Sequence, residues 1–250
     1  MSGILILLIR QREPEPEKPD QKGNIRSEIM EGYRFIARNQ ILLLIAISSV
    51  IVSVSGGILG GMIALFAIGE IGIQPGPFGI IIGIGGASSF VGAIYTTRVT
   101  RKLGVGPTMA LGLFIYGSVS FFMPLAPTEI WLAMVFFVIP QVFGDGFWIM
   151  HDINEASVQQ AVTPEHLRGR VASALKVSEK TGMLIGASIA GIVAELVGLR
   201  IALATGSAIF MLAGVVLLHP TIRSMKTIPQ SPGDSAKSGE SGESDGTDSN

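Results

Sequence analysis

Ionisable side chains are scarce in this chain, and those that interrupt its apolar stretches are the first candidates for chemistry. Asp145 lies in PQVFGDGFWIM, and a carboxylate in such surroundings is a candidate proton or cation site, because burying an unpaired charge is costly. It lies towards one end of its predicted span, so we favour its interpretation as an interfacial or loop-paired carboxylate. Gln141 lies four residues earlier, so on a helix both side chains share one face and can line a cavity. Trp148 is typical of the aromatic belt at a membrane surface and is a further candidate for that cavity.

A second group of polar side chains follows at His151, Asp152 and Glu155. His and Glu at positions i and i+4 share a helical face, which is a spacing that suits metal binding. No second cluster of ligands in the sequence completes a site, so we interpret the three residues as a solvated helical extension. The chain has no Cys, which excludes thiolate metal sites, Cys nucleophiles and disulfides. We therefore predict no metal and no cofactor.

The stretch SVSGG at 53–57 approaches the G-x-S-G pattern of intramembrane serine proteases. Ser53 occupies the first glycine position of that pattern, however. Ser55 is predicted in the middle of a span and His151 near the end of another, which makes a poor pair of nucleophile and base. We therefore predict that the chain is not an enzyme, and Ser53 and Ser55 become candidates for polar side chains of a cavity.

The composition indicates which elements carry these residues. The 250 residues are 48% hydrophobic and 15% charged, with a formal net charge of −1. This is too apolar for an ordinary soluble domain and lacks the basic charge expected of a nucleic-acid-binding protein. A helix needs roughly 20 apolar residues to cross a bilayer. Six stretches qualify in whole or in part: 41–69, 71–97, 103–128, 130–151, 181–199 and 201–218. We predict an all-α polytopic membrane protein whose six transmembrane helices form one bundle over residues 40–222.

Glycines recur at four-residue spacing inside these spans. The pairs are Gly56/Gly60, Gly57/Gly61, Gly79/Gly83 and Gly182/Gly186. Small residues at this spacing let helix backbones approach closely in lipid, where association has no hydrophobic driving force. We therefore predict close helix contacts at these pairs.

The basic residues predict the orientation of the spans. Arg98, Arg101 and Lys102 lie between the second and third spans, and Arg168 and Arg170 lie between the fourth and fifth. With alternate crossings, all but one of the 18 Lys and Arg residues fall on one side, and Arg200 is the exception. The positive-inside rule then places both termini and both of these loops in the cytoplasm. We expect a multi-pass protein of the cell membrane.

The two ends of the chain differ from the bundle. Residues 1–9 (MSGILILLI) are apolar but too short to span a bilayer, and we interpret them as the stub of a preceding transmembrane helix. Residues 10–39 predict a charged, Pro-rich cytoplasmic linker followed by an amphipathic interfacial helix. Residues 223–250 are rich in Ser, Gly and acidic side chains and predict a disordered cytoplasmic tail.

Three stretches resemble transporters of the major facilitator superfamily, nearest to the bacterial exporters that include enterobactin and macrolide efflux proteins. EGYRFIARNQILLLIA resembles the approach to the seventh helix of such proteins. GAIYTTRVTRKLG resembles the second copy of their cytoplasmic loop motif, G-x-x-x-D-R-x-G-R-R. ASVQQAVTPEHLRGRVASALK resembles the loop between their tenth and eleventh helices. The resemblance covers residues 25–225.

The resemblance implies a fold and an activity. The chain would be the C-terminal six-helix half of a transporter, with a central cavity lined by the spans at 41–69, 76–97 and 130–151. Its activity would be secondary-active efflux, by proton antiport, of a small amphipathic molecule of the drug, macrolide or siderophore type. We expect the chain to be incomplete by itself and to pair with a separate N-terminal six-helix half or with a second copy. The alternative is a non-transporting or channel-like six-span interaction module.

The resemblance also supplies candidates for a cytoplasmic gate. Arg98, Arg101 and Lys102 match basic positions of the loop motif, while Thr97 stands where the motif has its acid and Thr100 where it has glycine. Without the acid, the usual charge relay to a neighbouring helix cannot form. The second group of gating candidates is Arg168, Gly169 and Arg170.

Overall fold

The computed structural model describes residues 25–229. Within that range every regular element is a helix and there is no strand, which confirms the predicted all-α class. The predicted stub at 1–9, the linker at 10–24 and the tail at 230–250 lie outside the described residues. The first residues assigned to the tail are described: the Met225 carbonyl oxygen accepts a hydrogen bond of 3.1 Å from the Gly106 N–H, so the chain still packs on the bundle there.

Eight helices follow one another along the described chain. They are α1 (Ile25–Arg38), α2 (Gln40–Glu70, with a π-helical end Leu65–Glu70), α3 (Pro75–Leu103), α4 (Val105–Ser120), α5 (Ile130–Val162), α6 (Arg168–Val197, after a 3-10 turn Glu165–Leu167), α7 (Leu199–Val216) and α8 (Pro220–Arg223). Among the described residues, five helices are long and apolar enough to cross a membrane, namely α2, α3, α5, α6 and α7. The third predicted span, 103–128, forms the shorter apolar helix α4 and then a turn.

Two helices extend well beyond the spans that were predicted from missing charges. Helix α5 continues to Val162 rather than ending at 151, and α6 begins at Arg168 rather than at 181. Some polar residues in these extensions contact other helices, such as Asn154 and Glu155 of α5 and Ser178 of α6. Asp145 consequently lies near the midpoint of the long helix Ile130–Val162.

Local sequence explains several helix boundaries. The Asn39 side chain accepts hydrogen bonds from the backbone N–H groups of Ile41 and Leu42, at 3.0 and 3.3 Å, and so caps the start of α2. Single glycines with positive φ join two pairs of helices, Gly104 (φ 98°) between α3 and α4 and Gly198 (φ 92°) between α6 and α7. Pro140 begins a π-helical turn, Pro140–Gly144, inside α5, because proline cannot donate the regular helical hydrogen bond.

The bundle is built on a few helix pairs. Helix α2 packs mainly on α6 and α7, α4 packs on α7 and α5, and α3 packs on α5. The buried core includes Phe66, Phe137, Met109 and Leu203. Large apolar side chains also cover the outside of the bundle; Leu184, for example, is 71% exposed and Phe90 is 69% exposed. An apolar surface of this extent is expected of helices that contact lipid.

The backbones of α2 and α6 approach each other closely. A Cβ atom on Gly186 would overlap the backbone oxygen of Val54, and one on Gly57 would overlap that of Met183. The predicted Gly182/Gly186 pair therefore lies in a tight helix contact, which holds α2 and α6 together. The predicted Gly79/Gly83 pair makes no such contact within residues 25–229, because the space beside both is open.

Helix α1 is amphipathic and rests on the bundle. Its residue Ile36 is buried against Leu167 and Val171 at the start of α6. The Tyr33 hydroxyl lies 2.8 Å from the Ser178 hydroxyl of α6. The predicted interfacial helix thus covers the basic end of the bundle, by which we mean the end where α3 finishes and α6 begins.

Candidate functional site

A cavity of about 320 Å³ lies between α2, α5 and α6. Five helices, α2, α4, α5, α6 and α7, supply its lining, and α3 supplies none. The lining residues are Ser49, Val52, Ser53, Gly56, Tyr116, Trp148, Asp152, Glu155, Glu179, Lys180, Met183 and Phe210. The cavity combines an apolar wall with charged groups, which is the general character of a site for a small organic ligand.

The apolar wall is a cluster of three aromatic rings from three helices. Tyr116 of α4 and Phe210 of α7 have ring centroids 4.5 Å apart. Trp148 of α5 lies 5.8 Å from the Tyr116 ring and 5.4 Å from the Phe210 ring. Tilted and edge-on rings at these separations stabilise one another, so the wall has a defined shape.

A buried contact between a histidine and a carboxylate lies behind this wall. The His151 side chain is buried, and its Nε2 lies 2.7 Å from Glu155 Oε2. Its other ring nitrogen, Nδ1, lies 3.2 Å from the backbone oxygen of Met109. The interpretation of His151 and Glu155 as a solvated extension was therefore wrong, because both side chains are largely buried within the bundle.

Glu155 connects the pair to a neighbouring helix. Its Oε1 accepts hydrogen bonds from the Ser49 hydroxyl of α2 at 2.5 Å and from the Gln159 amide at 2.8 Å. Together with the contact to His151, these two hydrogen bonds compensate for much of the cost of removing the carboxyl group from water. The network ties α5 to α2 and α4 at one edge of the cavity.

The remaining charges of the cavity are carried by Asp152, Glu179 and Lys180. The negative charges of Asp152, Glu155 and Glu179 act on one another across the space between α5 and α6. Lys180 is the single ammonium group of the lining. Acidic groups therefore outnumber basic ones in this cavity.

The structure separates the sequence-derived cavity candidates into two places. Ser53 and Trp148 line the cavity. Trp148 lies against other aromatic rings of the bundle, so its interpretation as a belt residue was wrong. Ser55 is fully buried and donates a hydrogen bond of 2.7 Å to the backbone oxygen of Gly206, so it joins α2 to α7 and does not line the cavity.

Gln141 and Asp145 lie together at a different position, against α3. A Cβ atom on Gly85 would overlap both the Asp145 Oδ2 and the Gln141 Oε1 atoms, so glycine makes the space that the two side chains occupy. The Ser88 hydroxyl of α3 donates to the backbone oxygen of Val142 at 2.6 Å, where the π-helical turn interrupts α5. The two candidates share a face, as predicted, and both lie beside Gly85 of α3, but neither lines the cavity.

The first group of gating candidates lies on a helix rather than in a loop. Arg98, Arg101 and Lys102 occupy the end of α3, and the Arg98 guanidinium lies 5.4 Å from the centre of the Tyr95 ring. Thr100, which stands at the motif's glycine position, exchanges hydrogen bonds of 3.0 and 3.1 Å with the Asn154 amide group of α5. A neutral hydroxyl–amide pair thus connects α3 to α5 at the basic end.

The second group of gating candidates lies at the start of α6. Arg170 pairs with Glu31 of α1, with Nη1 and Oε2 2.6 Å apart. Arg168 borders a small groove with Gln159 and Thr163, and the space beside Gly169 is open. Arg170 therefore meets a carboxylate of a neighbouring helix, which fastens α1 to α6.

Metal and protease chemistry find little support in this geometry. No group of His, Asp or Glu suited to a metal ion occurs among residues 25–229. Ser55 and His151 are each hydrogen-bonded elsewhere, to Gly206 and to Met109 with Glu155.

Several lining residues were missed from the sequence. Ser49, Tyr116 and Phe210 carry no special spacing, so nothing in their local sequence marks them. Glu179 and Lys180 were assigned to a loop, since their charges interrupt an apolar run. The sequence feature that could have indicated this part of the site is the i, i+4 spacing of His151 and Glu155. That spacing suits an interaction between two side chains of one helix as well as metal binding.

Comparison with known proteins relates the chain to a family of membrane transporters. Residues 1–240 match the family model MFS_3, described as "Transmembrane secretion effector". A curated relative, the "Uncharacterized MFS-type transporter YceJ" of Bacillus subtilis (strain 168), is 29% identical over 118 residues. That match covers 47% of this chain and 28% of the relative, so the chain aligns with less than a third of the relative's length.

Proposed function

Because the chain belongs to the transmembrane secretion effector family of the major facilitator superfamily, we propose that it acts in secondary-active efflux of a small amphipathic molecule. The ligand occupies the cavity between α2, α5 and α6, and a proton moves in the opposite direction. The site of proton binding is the His151–Glu155 pair. This pair is the single observation that carries the proposal.

The geometry of the pair supports the binding of a proton between its two side chains. The Met109 carbonyl oxygen only accepts hydrogen bonds, so we assign a hydrogen to His151 Nδ1, which lies 3.2 Å from it. If Nε2 carried none, its lone pair would face the Glu155 carboxylate at 2.7 Å and repel it. Protonated His151 beside ionised Glu155, or neutral His151 beside protonated Glu155, removes this repulsion. Each arrangement holds one more proton than the neutral imidazole and free carboxylate.

Loss of that proton acts on the cavity wall. The same Glu155 carboxylate accepts from Ser49 of α2, so its charge state affects the contact between α2 and α5. These two helices border the cavity. A ligand that changes the separation of α2 and α5 is therefore linked energetically to the proton on the pair.

We further propose that the bundle works by alternating access against a second six-helix bundle. The basic end faces the cytoplasm, in keeping with the positive-inside rule. The second bundle is supplied by a separate N-terminal half or by a second copy of the chain. The contacts of Arg170 with Glu31 and of Thr100 with Asn154 lie at that end and are candidates for contacts that change as it opens.

The test uses inverted membrane vesicles from cells that produce the protein. A pH gradient, acid inside, is imposed, and uptake is followed for a panel of cationic, neutral and anionic amphipathic dyes. We expect gradient-dependent uptake of at least one dye, lost in Glu155→Gln and kept in Glu195→Gln, whose carboxylate is exposed at the other end of α6. If no dye of any charge moves, efflux is rejected. Movement that ignores the gradient would favour the channel-like alternative.

A further inference from the structure

We infer that the cavity between α2, α5 and α6 selects an organic cation with an aromatic or otherwise apolar body. This inference rests on the proposed function, since it names the substrate class of the same cavity. Two independent features of the lining carry it: the balance of charge and the aromatic wall.

The first feature is the excess of carboxylates. The lining contains three of them, on Asp152, Glu155 and Glu179, against the single ammonium group of Lys180. Protonated His151 compensates Glu155 at 2.7 Å. Asp152 and Glu179 then remain opposite Lys180 in the lining, and Lys176, which lies outside the lining, also acts on Glu179. Counted over the lining groups, the cavity keeps an excess of one negative charge when the buried pair holds its proton. Its field attracts a cation and repels an anion in both states of the pair.

The second feature is the position of the aromatic wall relative to those carboxylates. Trp148 lies one helical turn before Asp152 on α5, so ring and carboxylate share a face. Phe210 and Tyr116 extend the ring surface, with centroids 4.5 Å apart. The face of an aromatic ring attracts a cation, and its apolar area accommodates a hydrocarbon body. A positively charged head can therefore lie between the acids and the rings while its body covers the wall.

An anion of the same size meets the opposite situation. It faces Asp152 and Glu179 across the cavity, and of the charged lining groups only Lys180 attracts it. A compound carrying several negative charges, such as a siderophore of the catechol type, is therefore a poor ligand for this lining. Of the substrate types considered from the sequence, the cationic drug or macrolide type fits the lining best.

The test compares two probes of matched shape and opposite charge, tetraphenylphosphonium and tetraphenylborate. The chain has two Trp residues, and Trp131 is 78% exposed at the start of α5. A Trp131→Phe background therefore leaves Trp148 as the only tryptophan, inside the cavity wall. The protein is placed in lipid nanodiscs, and quenching of its fluorescence is titrated with each probe. Tryptophan-labelled peptide in empty nanodiscs corrects for partition of the probes into lipid.

We expect saturable quenching by tetraphenylphosphonium and at least about tenfold weaker binding of tetraphenylborate. Asp152→Asn or Glu179→Gln should each weaken binding of the cation about tenfold, because each removes a facing charge. Lys180→Gln should strengthen it. Glu195→Gln, which makes the same change of net charge on an exposed part of α6, should leave it unchanged.

Some results would overturn the inference. The inference fails if the two probes bind with equal affinity. It also fails if the cation binds the cavity variants as tightly as it binds Glu195→Gln. The outcomes separate this inference from the proposed efflux. Saturable cation binding without gradient-driven movement would keep the substrate class and reject efflux. Gradient-driven movement of anionic dyes alone would keep efflux and reject the substrate class.

Discussion

Removing His151 should destabilise the bundle more than any change at an exposed histidine. The substitution His151→Ala leaves Glu155 in a part-buried position without its imidazole partner, which lies 2.7 Å away in the intact protein. Breaking a buried ion pair by deleting one partner costs about 3–5 kcal/mol. Two donors, Ser49 and Gln159, remain on the carboxylate. We therefore place the cost at the lower end, about 3 kcal/mol.

The assay is thermal unfolding of the purified protein in detergent, followed by circular dichroism. For a chain of this size, 1 kcal/mol corresponds to about 2–4 °C in melting temperature, so His151→Ala should melt about 6–12 °C lower. His166→Ala is the matched control, because His166 is exposed in the 3-10 turn before α6. It should change the melting temperature by no more than about 2 °C.

A double-mutant cycle isolates the pair from the space that the imidazole leaves. His151→Ala, Glu155→Ala and the double variant should give a coupling free energy of about 2 kcal/mol, because the double variant no longer buries an unpaired charge. Equal melting temperatures for His151→Ala and His166→Ala would refute the reasoning. Additive effects in the cycle would refute it as well, since they would mean that the two side chains do not interact.

Two pairs of glycine variants test the close packing of α2 on α6 and the position of Asp145 beside Gly85 of α3. Gly186→Ala puts a methyl group against the backbone of α2 and should lower the stability of the bundle by about 1–3 kcal/mol. Gly191 lies on the same helix beside open space, so Gly191→Ala should leave the stability unchanged or slightly raised. Equal melting temperatures of the two variants would contradict the close contact of α2 and α6. Gly85→Ala should displace the Asp145 carboxylate and so lower gradient-driven dye uptake. Gly86→Ala should not lower it, because the space beside Gly86 is open. Equal uptake rates of the two variants in vesicles would exclude a role in transport for the position of Asp145 beside Gly85.

The apolar spans were predictable, because a helix in lipid cannot expose charge and leaves an uncharged run in the sequence. The ends of α5 and α6 were not. Both helices continue past the predicted boundary into the polar stretches 151–162 and 168–180, where some of the side chains bond to neighbouring helices. A charge marks the end of a span only when nothing in the protein compensates it.

The cavity was predictable only in part for the same reason. Ser53 and Trp148 were singled out as polar and aromatic groups within apolar runs, and both line the cavity. Ser55 was singled out by the same rule and bonds instead to the Gly206 carbonyl oxygen. The choice between two serines two residues apart depends on the rotation of α2 against α7. Local sequence does not fix that rotation; packing against other helices does.

The most direct test of proton-coupled efflux measures proton movement itself. Inverted vesicles hold a pH gradient reported by an internal pH-sensitive dye, and a dye transported by the protein is then added. We predict that the addition dissipates part of the gradient in vesicles with the intact chain and in those with Glu195→Gln, but not in those with Glu155→Gln. Dissipation that persists in Glu155→Gln, while dye uptake continues, would contradict the assignment of the proton to the His151–Glu155 pair.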